Sequence, residues 1–243
     1  MRQSSPNESD ESLVGRLLAR LDRVRGLGGG RTHAVFLVVF FLACLSLYLT
    51  VLKVRGGGAS SLSTWTEWDR TFPFTPAWVW VYLLPYAVGP LIAVALSRAA
   101  FVWYVQRAAL VMLVSLIIFA VQPTHTVRPL LDKANEEKLH DDLTSRMYRQ
   151  MVAVDEPPAN AAPSLHVSLA CLLAWALAYD RPRWALVAFG AALVVWLSTL
   201  FTAQHHIIDV ASGVLLASLA ALGPPRRLAP LSPEAGERGR GRG

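Results

Sequence analysis

Two short polar stretches interrupt the apolar second half of the chain, and their residue types are suited to acid–base chemistry. Residues 163–166 read PSLH, and residues 205–209 read HHIID. Ionisable side chains at membrane depth are costly and usually mark a functional site. The three histidines and the aspartate therefore indicate an active site at the ends of apolar helices.

The spacing within each stretch predicts individual roles. His166 carries an imidazole, which exchanges protons near neutral pH and can serve as a general acid. His205 and Asp209 are four residues apart, which predicts one helical face on which the carboxylate orients the imidazole as a nucleophile or base. Pro163 in a first helical turn would leave the N–H groups of Ser164 and Leu165 free to bind an anion. Helix caps beside interfacial histidines are the structural alternative for both stretches.

The composition predicts a membrane protein that is entirely α-helical. Of the 243 residues, 53% are hydrophobic and 16% are charged, which is typical of a polytopic chain rather than a soluble domain. A bilayer core requires apolar segments of roughly 17–25 residues. Six such segments are found, at about 33–52, 76–97, 104–122, 163–180, 184–203 and 206–223. We expect a six-helix transmembrane bundle over residues 33–223.

The distribution of charge predicts the orientation of this bundle. If the N-terminus is cytoplasmic, 15 of the 23 lysines and arginines lie on the cytoplasmic side, but only 7 of the 17 acidic residues. Cytoplasmic segments of membrane proteins are enriched in lysine and arginine. Residues 1–32 and 224–243 are accordingly predicted to be disordered cytoplasmic ends. Arginines facing anionic lipid explain the net charge of +6 without a nucleic-acid partner.

The predicted orientation brings three polar clusters to the extracytoplasmic face. The residues around 122–129 follow the third apolar segment, and stretches 163–166 and 205–209 begin at the same side. A connection of about 40 residues, 123–162, lies between the third and fourth segments. Its apolar residues have loosely helical spacing over 131–153, which predicts an amphipathic helix on the membrane surface.

The motifs resemble those of a known family. Residues 163–166 resemble the second signature of the type-2 phosphatidic acid phosphatase superfamily, and Ser198-Thr199 with His205 and Asp209 resembles the third signature. The resemblance covers residues 118–215. Leu165, where the family usually has glycine, makes the chain similar to the inositol-phosphorylceramide-synthase-like branch.

The resemblance implies a two-step reaction that needs neither a metal nor a cofactor. His205 would attack phosphorus to form a phosphohistidine, Asp209 would orient His205, and His166 would protonate the leaving oxygen. Arg128 and Ser164 would bind the phosphoryl oxygens. The implied partners are a phosphorylated lipid and the bilayer.

Two cations of the family signatures are absent from the chain. Val121 occupies the position of the first-signature lysine, and Thr199 occupies the position of the third-signature arginine. The charge on a transferring phosphoryl group needs electrostatic stabilisation. We expect Arg128 to supply it together with other nearby cations. The candidates are Lys133, His125 and His206.

Three functional hypotheses follow from these observations. The first is an integral-membrane lipid phosphatase that hydrolyses a phosphomonoester or diphosphate at the extracytoplasmic face. The second is a lipid phosphotransferase that passes the group to an alcohol. The third is a non-enzymatic transporter or scaffold whose histidines relay protons or bind a metal. Proton-relay sites usually lie near the bilayer midplane, whereas these histidines lie at segment ends.

Overall fold

The computed structural model describes residues 29–56, 61–126, 133–154 and 160–223. The predicted disordered ends lie mostly outside these ranges, and so does Arg128. The described chain is mostly helical, as predicted. The helices are α1 (Gly29–Gly56), α2 (Val79–Val94), α3 (Arg98–Val121), α4 (Lys133–Glu136), α5 (Leu143–Val154), α6 (Leu165–Asp180), α7 (Ala185–Phe201) and α8 (Ile207–Ala220).

Short elements connect these helices. Single 3-10 turns span Glu67–Thr71, Pro76–Trp78 and Pro182–Trp184. Two-residue strands, β1 (Leu62–Ser63) and β2 (Thr124–His125), pair in parallel. This pairing fastens the segment before α2 to the chain that leaves α3.

Each predicted apolar segment contains one helix, but the helices differ in length. Helices α1 and α3, and helices α2 and α7 each with its preceding 3-10 turn, are long and apolar enough to cross a membrane. Helices α6 and α8 are apolar but have only 16 and 14 residues. At 1.5 Å per residue they extend about 24 and 21 Å, against about 30 Å for a bilayer core.

Helix α6 lies at the centre of the bundle and contacts α2, α3, α7 and α8. Its residues Val167 and Leu172 are fully buried against Phe101 and Val111 of α3 and Ala217 of α8. The outward surfaces of the helices are apolar as well: Leu91, for example, is 70% exposed. Helices that are apolar on all sides are typical of membrane spans.

One end of the bundle is rich in arginine and is called the arginine end, defined by Arg98, Arg107, Arg181 and Arg183. Here Arg181 Nη2 donates to Ala95 O at 2.9 Å, and Arg107 Nη2 donates to Leu222 O at 3.3 Å. The Ser97 N–H donates to Asp180 Oδ2 at 3.3 Å, which places the start of α3 level with the end of α6.

The opposite end contains the predicted catalytic stretches and is called the site end. Measured from the common arginine end, the 24 residues of α3 rise about 36 Å, whereas α6 rises only about 24 Å. The start of α6 therefore lies about 12 Å below the end of α3. The chain that leaves α3 covers this difference in length, because Thr124 Oγ1 accepts from the Ala162 N–H at 2.7 Å, two residues before the cap of α6.

Candidate active site

Asp209 is the acidic residue at the centre of the site. It lies in the first turn of α8 and is fully buried. Its Oδ2 accepts a hydrogen bond from the N–H of His206, the residue that caps the helix, at 2.8 Å. A carboxylate at a helix N-terminus is stabilised by the unpaired N–H groups and the helix dipole. These interactions hold the carboxylate in place independently of its contact with His205.

His205 lies beside this carboxylate, with Nδ1 3.5 Å from Asp209 Oδ2. This distance exceeds that of an ordinary hydrogen bond, although contacts in catalytic sites often shorten when substrate binds. The predicted shared helical face is wrong, because α8 begins at Ile207, two residues after His205. A tight turn makes the contact instead: the N–H groups of Gln204 and His205 both donate to Thr199 O, at 3.0 and 3.1 Å.

The same turn contains a strained residue. Ala203 has a left-handed backbone conformation, with φ of 49°, which residues other than glycine seldom adopt. Its side chain packs against the cluster that contains Phe74 and Tyr148. Tyr148 of α5 also donates its hydroxyl to Thr202 O at 3.1 Å. Helix α5 thus supports the turn that carries His205.

Ser164 caps α6. The prediction that its backbone N–H is free to bind an anion is wrong, because this group is already paired. The Ser164 Oγ accepts from the Val167 N–H at 3.3 Å, and the Ser164 N–H donates to Asp209 O at 3.1 Å. Pro163 lies before this cap rather than in the first helical turn. The Ser164 backbone therefore joins the two polar stretches. Because the Ser164 N–H is already paired, only the hydroxyl hydrogen of Ser164 is left to donate to a phosphate.

A close approach of α6 to α8 reinforces this junction. Ser168 Oγ lies 2.8 Å from Ser164 O and 2.9 Å from Gly213 O, and its hydroxyl donates to this pair. A Cβ on Gly213 would lie 2.7 Å from Ser164 O. Only glycine allows the two helices to approach so closely here.

His166 is the second residue of α6 and is held between two tyrosines of α2. Its ring stacks on Tyr82, with centroids 4.2 Å apart and an interplanar angle of 11°. Its Nδ1 lies 3.2 Å from the Tyr86 hydroxyl. Its Nε2 is buried and has no hydrogen-bond partner within the described ranges. His205 is close enough to act on His166 electrostatically, so the structure brings together His166, His205 and Asp209.

The segment before α2 contributes two residues that sequence reasoning missed. Thr64 Oγ1 lies 2.8 Å from His206 Nδ1, and Asp69 Oδ1 accepts from the Ile207 N–H at 2.8 Å. Asp69 Oδ2 in turn accepts from the N–H and hydroxyl of Thr66. The aromatic residues around this segment indicated interfacial anchoring. A lone aspartate among them was the available signal for a further role.

The structure shows where the residues at the two missing cationic positions lie. Val121 is 74% exposed at the end of α3. Thr199 is fully buried, and its hydroxyl donates to Trp196 O at 2.7 Å. His125 Nδ1 lies 2.8 Å from Ser61 Oγ. Arg128 and the side chain of Lys133 lie outside what the structure describes, so the predicted replacement clamp stays a prediction.

Metal ligation was one of the alternatives for these histidines. Across residues 29–56, 61–126, 133–154 and 160–223, no group of three or more His, Cys, Asp or Glu residues is arranged to hold a metal ion.

Comparison with known proteins identifies the family. A family model described as the PAP2 superfamily matches residues 59–223, which is more than half of the chain. The chain therefore belongs to this superfamily of type-2 phosphatidic acid phosphatases, as the motifs predicted. The matched region begins well before residue 118 and includes Thr64, Asp69 and the tyrosines of α2. No curated protein and no solved structure matches the chain.

Membership in the superfamily indicates an enzyme of phosphatase or phosphotransferase type. The similarity to the inositol-phosphorylceramide-synthase-like branch stays a prediction.

Proposed function

We propose that this protein is an integral-membrane phosphatase that hydrolyses a phosphomonoester or diphosphate of a lipid through a phosphohistidine. The observation that carries the proposal is the placement of His205 beside the buried carboxylate of Asp209, with His166 near enough to His205 to act on it electrostatically. A histidine nucleophile needs a group that fixes one ring nitrogen and a second acid for the leaving group. These three side chains meet both needs.

The geometry assigns the ring nitrogens of His205. Nδ1 faces Asp209, so Nε2 is the nitrogen that attacks phosphorus. As the N–P bond forms, the bond from phosphorus to the lipid oxygen breaks, and His166 gives its Nε2 proton to that oxygen. In the second step water attacks phosphorus, His166 takes a proton from the water, and the N–P bond breaks to release phosphate and free His205.

The apolar surroundings of the site favour a lipid substrate. Within the described residues four helices could cross a membrane, and the outward surfaces of α2 and α8 are apolar, with Leu91 and Leu215 exposed by 70% and 60%. A substrate anchored in a bilayer can reach a site set among such helices without leaving the lipid. Arg128 and the Ser164 hydroxyl are proposed to bind its phosphoryl oxygens.

The topology proposed with this function has six spans, with α6 and α8 completing the bundle. The arginine end faces the cytoplasm together with both termini, because arginine-rich segments remain on that side. The site end, which includes α5 in the connection between α3 and α6, then faces the extracytoplasmic space. In a bacterium this would be the outer face of the cell inner membrane.

The direct test measures phosphate release by the purified protein in detergent, on a panel of lipid monophosphates and diphosphates. His205→Ala should abolish turnover because the nucleophile is lost. His166→Ala should keep part of its activity on substrates with good leaving groups, since these need little protonation. His140→Ala is the matched control, because His140 is an exposed histidine on the connection to α5. Full activity of His205→Ala would refute the proposed mechanism, whereas no phosphate release by the wild type on any lipid phosphate would support a non-enzymatic protein.

The same assay separates hydrolysis from phosphotransfer. Both reactions share the phosphohistidine, and they differ only in whether water or an alcohol accepts the phosphoryl group. We expect inorganic phosphate as the product when candidate lipid alcohols are added. A phosphorylated alcohol formed at the expense of phosphate would favour the phosphotransferase. Leu165 and Ser198-Thr199 are the residues that make the sequence similar to that kind of enzyme.

A further inference from the structure

We infer that Tyr86, with Tyr82 beneath it, is a positioning residue that holds His166 in the tautomer and orientation required of a general acid. This inference rests on the proposed function. Both tyrosines belong to α2, outside the two polar stretches that supply the catalytic groups. Their contacts with His166 give the general acid a support that neither polar stretch contains.

The first observation is the pairing of one ring nitrogen. Nδ1 of His166 lies 3.2 Å from the Tyr86 hydroxyl. The hydrogen bond made by one imidazole nitrogen determines which proton the other nitrogen exchanges. The backbone of Tyr82 also hydrogen-bonds to this imidazole. When Nδ1 carries its proton toward these partners on α2, the exchangeable proton of His166 is the one on Nε2.

The second observation is the condition of the other nitrogen. Nε2 of His166 is buried and has no hydrogen-bond partner among the residues that the structure describes. Buried polar atoms in native proteins are nearly always paired, and an exception needs an explanation. A proton held for the leaving oxygen of a substrate explains this one. His205, the proposed nucleophile, is near enough to act electrostatically on this ring.

The third observation is the restraint on ring orientation. Tyr82 is 9% exposed and stacks almost parallel to the imidazole, with centroids 4.2 Å apart. Tyr86 meets the same imidazole nearly edge-on, at 5.0 Å and 62°. A stack on one face and a hydroxyl at one edge leave the imidazole little freedom to rotate. General-acid catalysis depends on such fixed geometry.

The proton therefore follows a defined route. During attack by His205, the Nε2 proton of His166 passes to the lipid oxygen as its bond to phosphorus breaks. The Nδ1 proton stays in place against Tyr86. The neutral ring then presents the Nε2 lone pair to water, from which it recovers a proton as the phosphohistidine is hydrolysed.

The test compares Tyr86→Phe with the wild-type enzyme on two kinds of substrate. The variant removes only the hydroxyl, and the ring is 55% exposed, so the fold should persist. For an alkyl or lipid phosphate, kcat should fall by about 10- to 100-fold with KM little changed, because general acids contribute about 10²–10⁴. For p-nitrophenyl phosphate, whose leaving group needs no proton, the rate of the nitrophenolate burst, which reports the first step alone, should fall by less than about threefold. Tyr179→Phe, at the other end of the bundle, should match the wild type.

A double-mutant cycle distinguishes positioning from a merely structural role. Adding Tyr86→Phe to His166→Ala should cause no further loss, because residues that act through one another are not additive. Equal losses on both substrates, a change confined to KM, or additive losses in the double variant would overturn the inference. A fully active His205→Ala would instead refute the proposed function, so the two failures can be told apart.

Discussion

The two oxygens of Asp209 have different surroundings, and this difference bears on how the residue acts. Oδ2 accepts the His206 N–H and faces His205. Oδ1 is buried and has no hydrogen-bond partner in the described part of the chain. Leaving a buried carboxylate oxygen unpaired costs free energy. Such an arrangement is expected where the negative charge itself is needed, here to stabilise the His205 ring as it becomes positively charged on attack.

Asp209→Asn tests this electrostatic role. The amide oxygen can still accept the His206 N–H, so the thermal unfolding temperature should fall only slightly. The rate of phosphate release should fall by about 10²- to 10⁴-fold, as expected when a histidine loses its orienting carboxylate. Asp141→Asn, which alters an exposed ion pair with Arg146, should leave the rate unchanged. A fully active Asp209→Asn enzyme would show that the charge is not required.

At this scale the sequence predicted the identities of the catalytic candidates but not the contacts that support them. His166, His205 and Asp209 could be selected because their side chains do chemistry and lie in apolar surroundings. Tyr82 and Tyr86 could not be selected, since tyrosine in a membrane helix is also common as an interfacial residue. Their role depends on the tertiary packing of α2 against α6.

The junction of α6 and α8 is the element-scale feature on which the site depends. The Ser164 N–H bonds to Asp209 O, and Ser168 bonds to both helices. Gly213 permits the contact because it has no side chain. The position of His166 relative to His205 is therefore determined mainly by one helix–helix contact rather than by the loops around it.

Gly213→Ala should separate the two catalytic stretches. The new methyl group would lie 2.7 Å from a backbone oxygen, which must move. We expect the free energy of unfolding to fall by about 1–3 kcal/mol, as is typical of overpacking. The rate of phosphate release should fall by more than the loss of folded protein explains. The measurements are thermal unfolding in detergent and initial rates.

Gly190→Ala in α7 is the matched control for this substitution. Nothing lies within 4 Å of the Cβ that it would add, and alanine favours a helix over glycine by up to about 1 kcal/mol. This variant should be as active as the wild type and equally or more stable. If Gly213→Ala behaved in the same way, the junction would not control the site.

The apolar periodicity predicted where the helices lie, but their ends were predicted less well. The predicted segments contain α6 and α8, yet both helices begin after their polar caps, at Leu165 and Ile207. The choice of cap decides whether His205 lies on a helix or on a turn. That choice depends on tertiary partners such as Asp69 and Thr64, which are distant in the sequence.

At the scale of the whole molecule, the two ends of the bundle differ in charge and in structure. The arginine end has short connections, such as the one between α6 and α7. The site end has the paired strands, the 3-10 turns at Glu67–Thr71 and Pro76–Trp78, and α5. This asymmetry supports the proposed orientation, in which the arginine end faces the cytoplasm.

Cysteine labelling in intact cells tests the orientation. Cys44 and Cys171 are free thiols and would first be replaced by alanine. In that background, Glu137→Cys at the site end should react with a membrane-impermeant maleimide from outside the cell. Arg183→Cys at the arginine end should react only after permeabilisation. Both positions are exposed, so the opposite pattern would reverse the proposed topology.

The burial of the site affects the electrostatics of the proposed reaction. Because Asp209 is fully buried and the His205 side chain is only 12% exposed, a lipid phosphate must give up part of its hydration to reach His205. Away from bulk water the effective dielectric constant falls from about 80 to about 20, which makes each charge–charge interaction roughly four times stronger. Few cations are then needed to stabilise the phosphoryl group. The burial of the site thus offers a physical reason why the proposed reaction does not require cations at the positions of Val121 and Thr199.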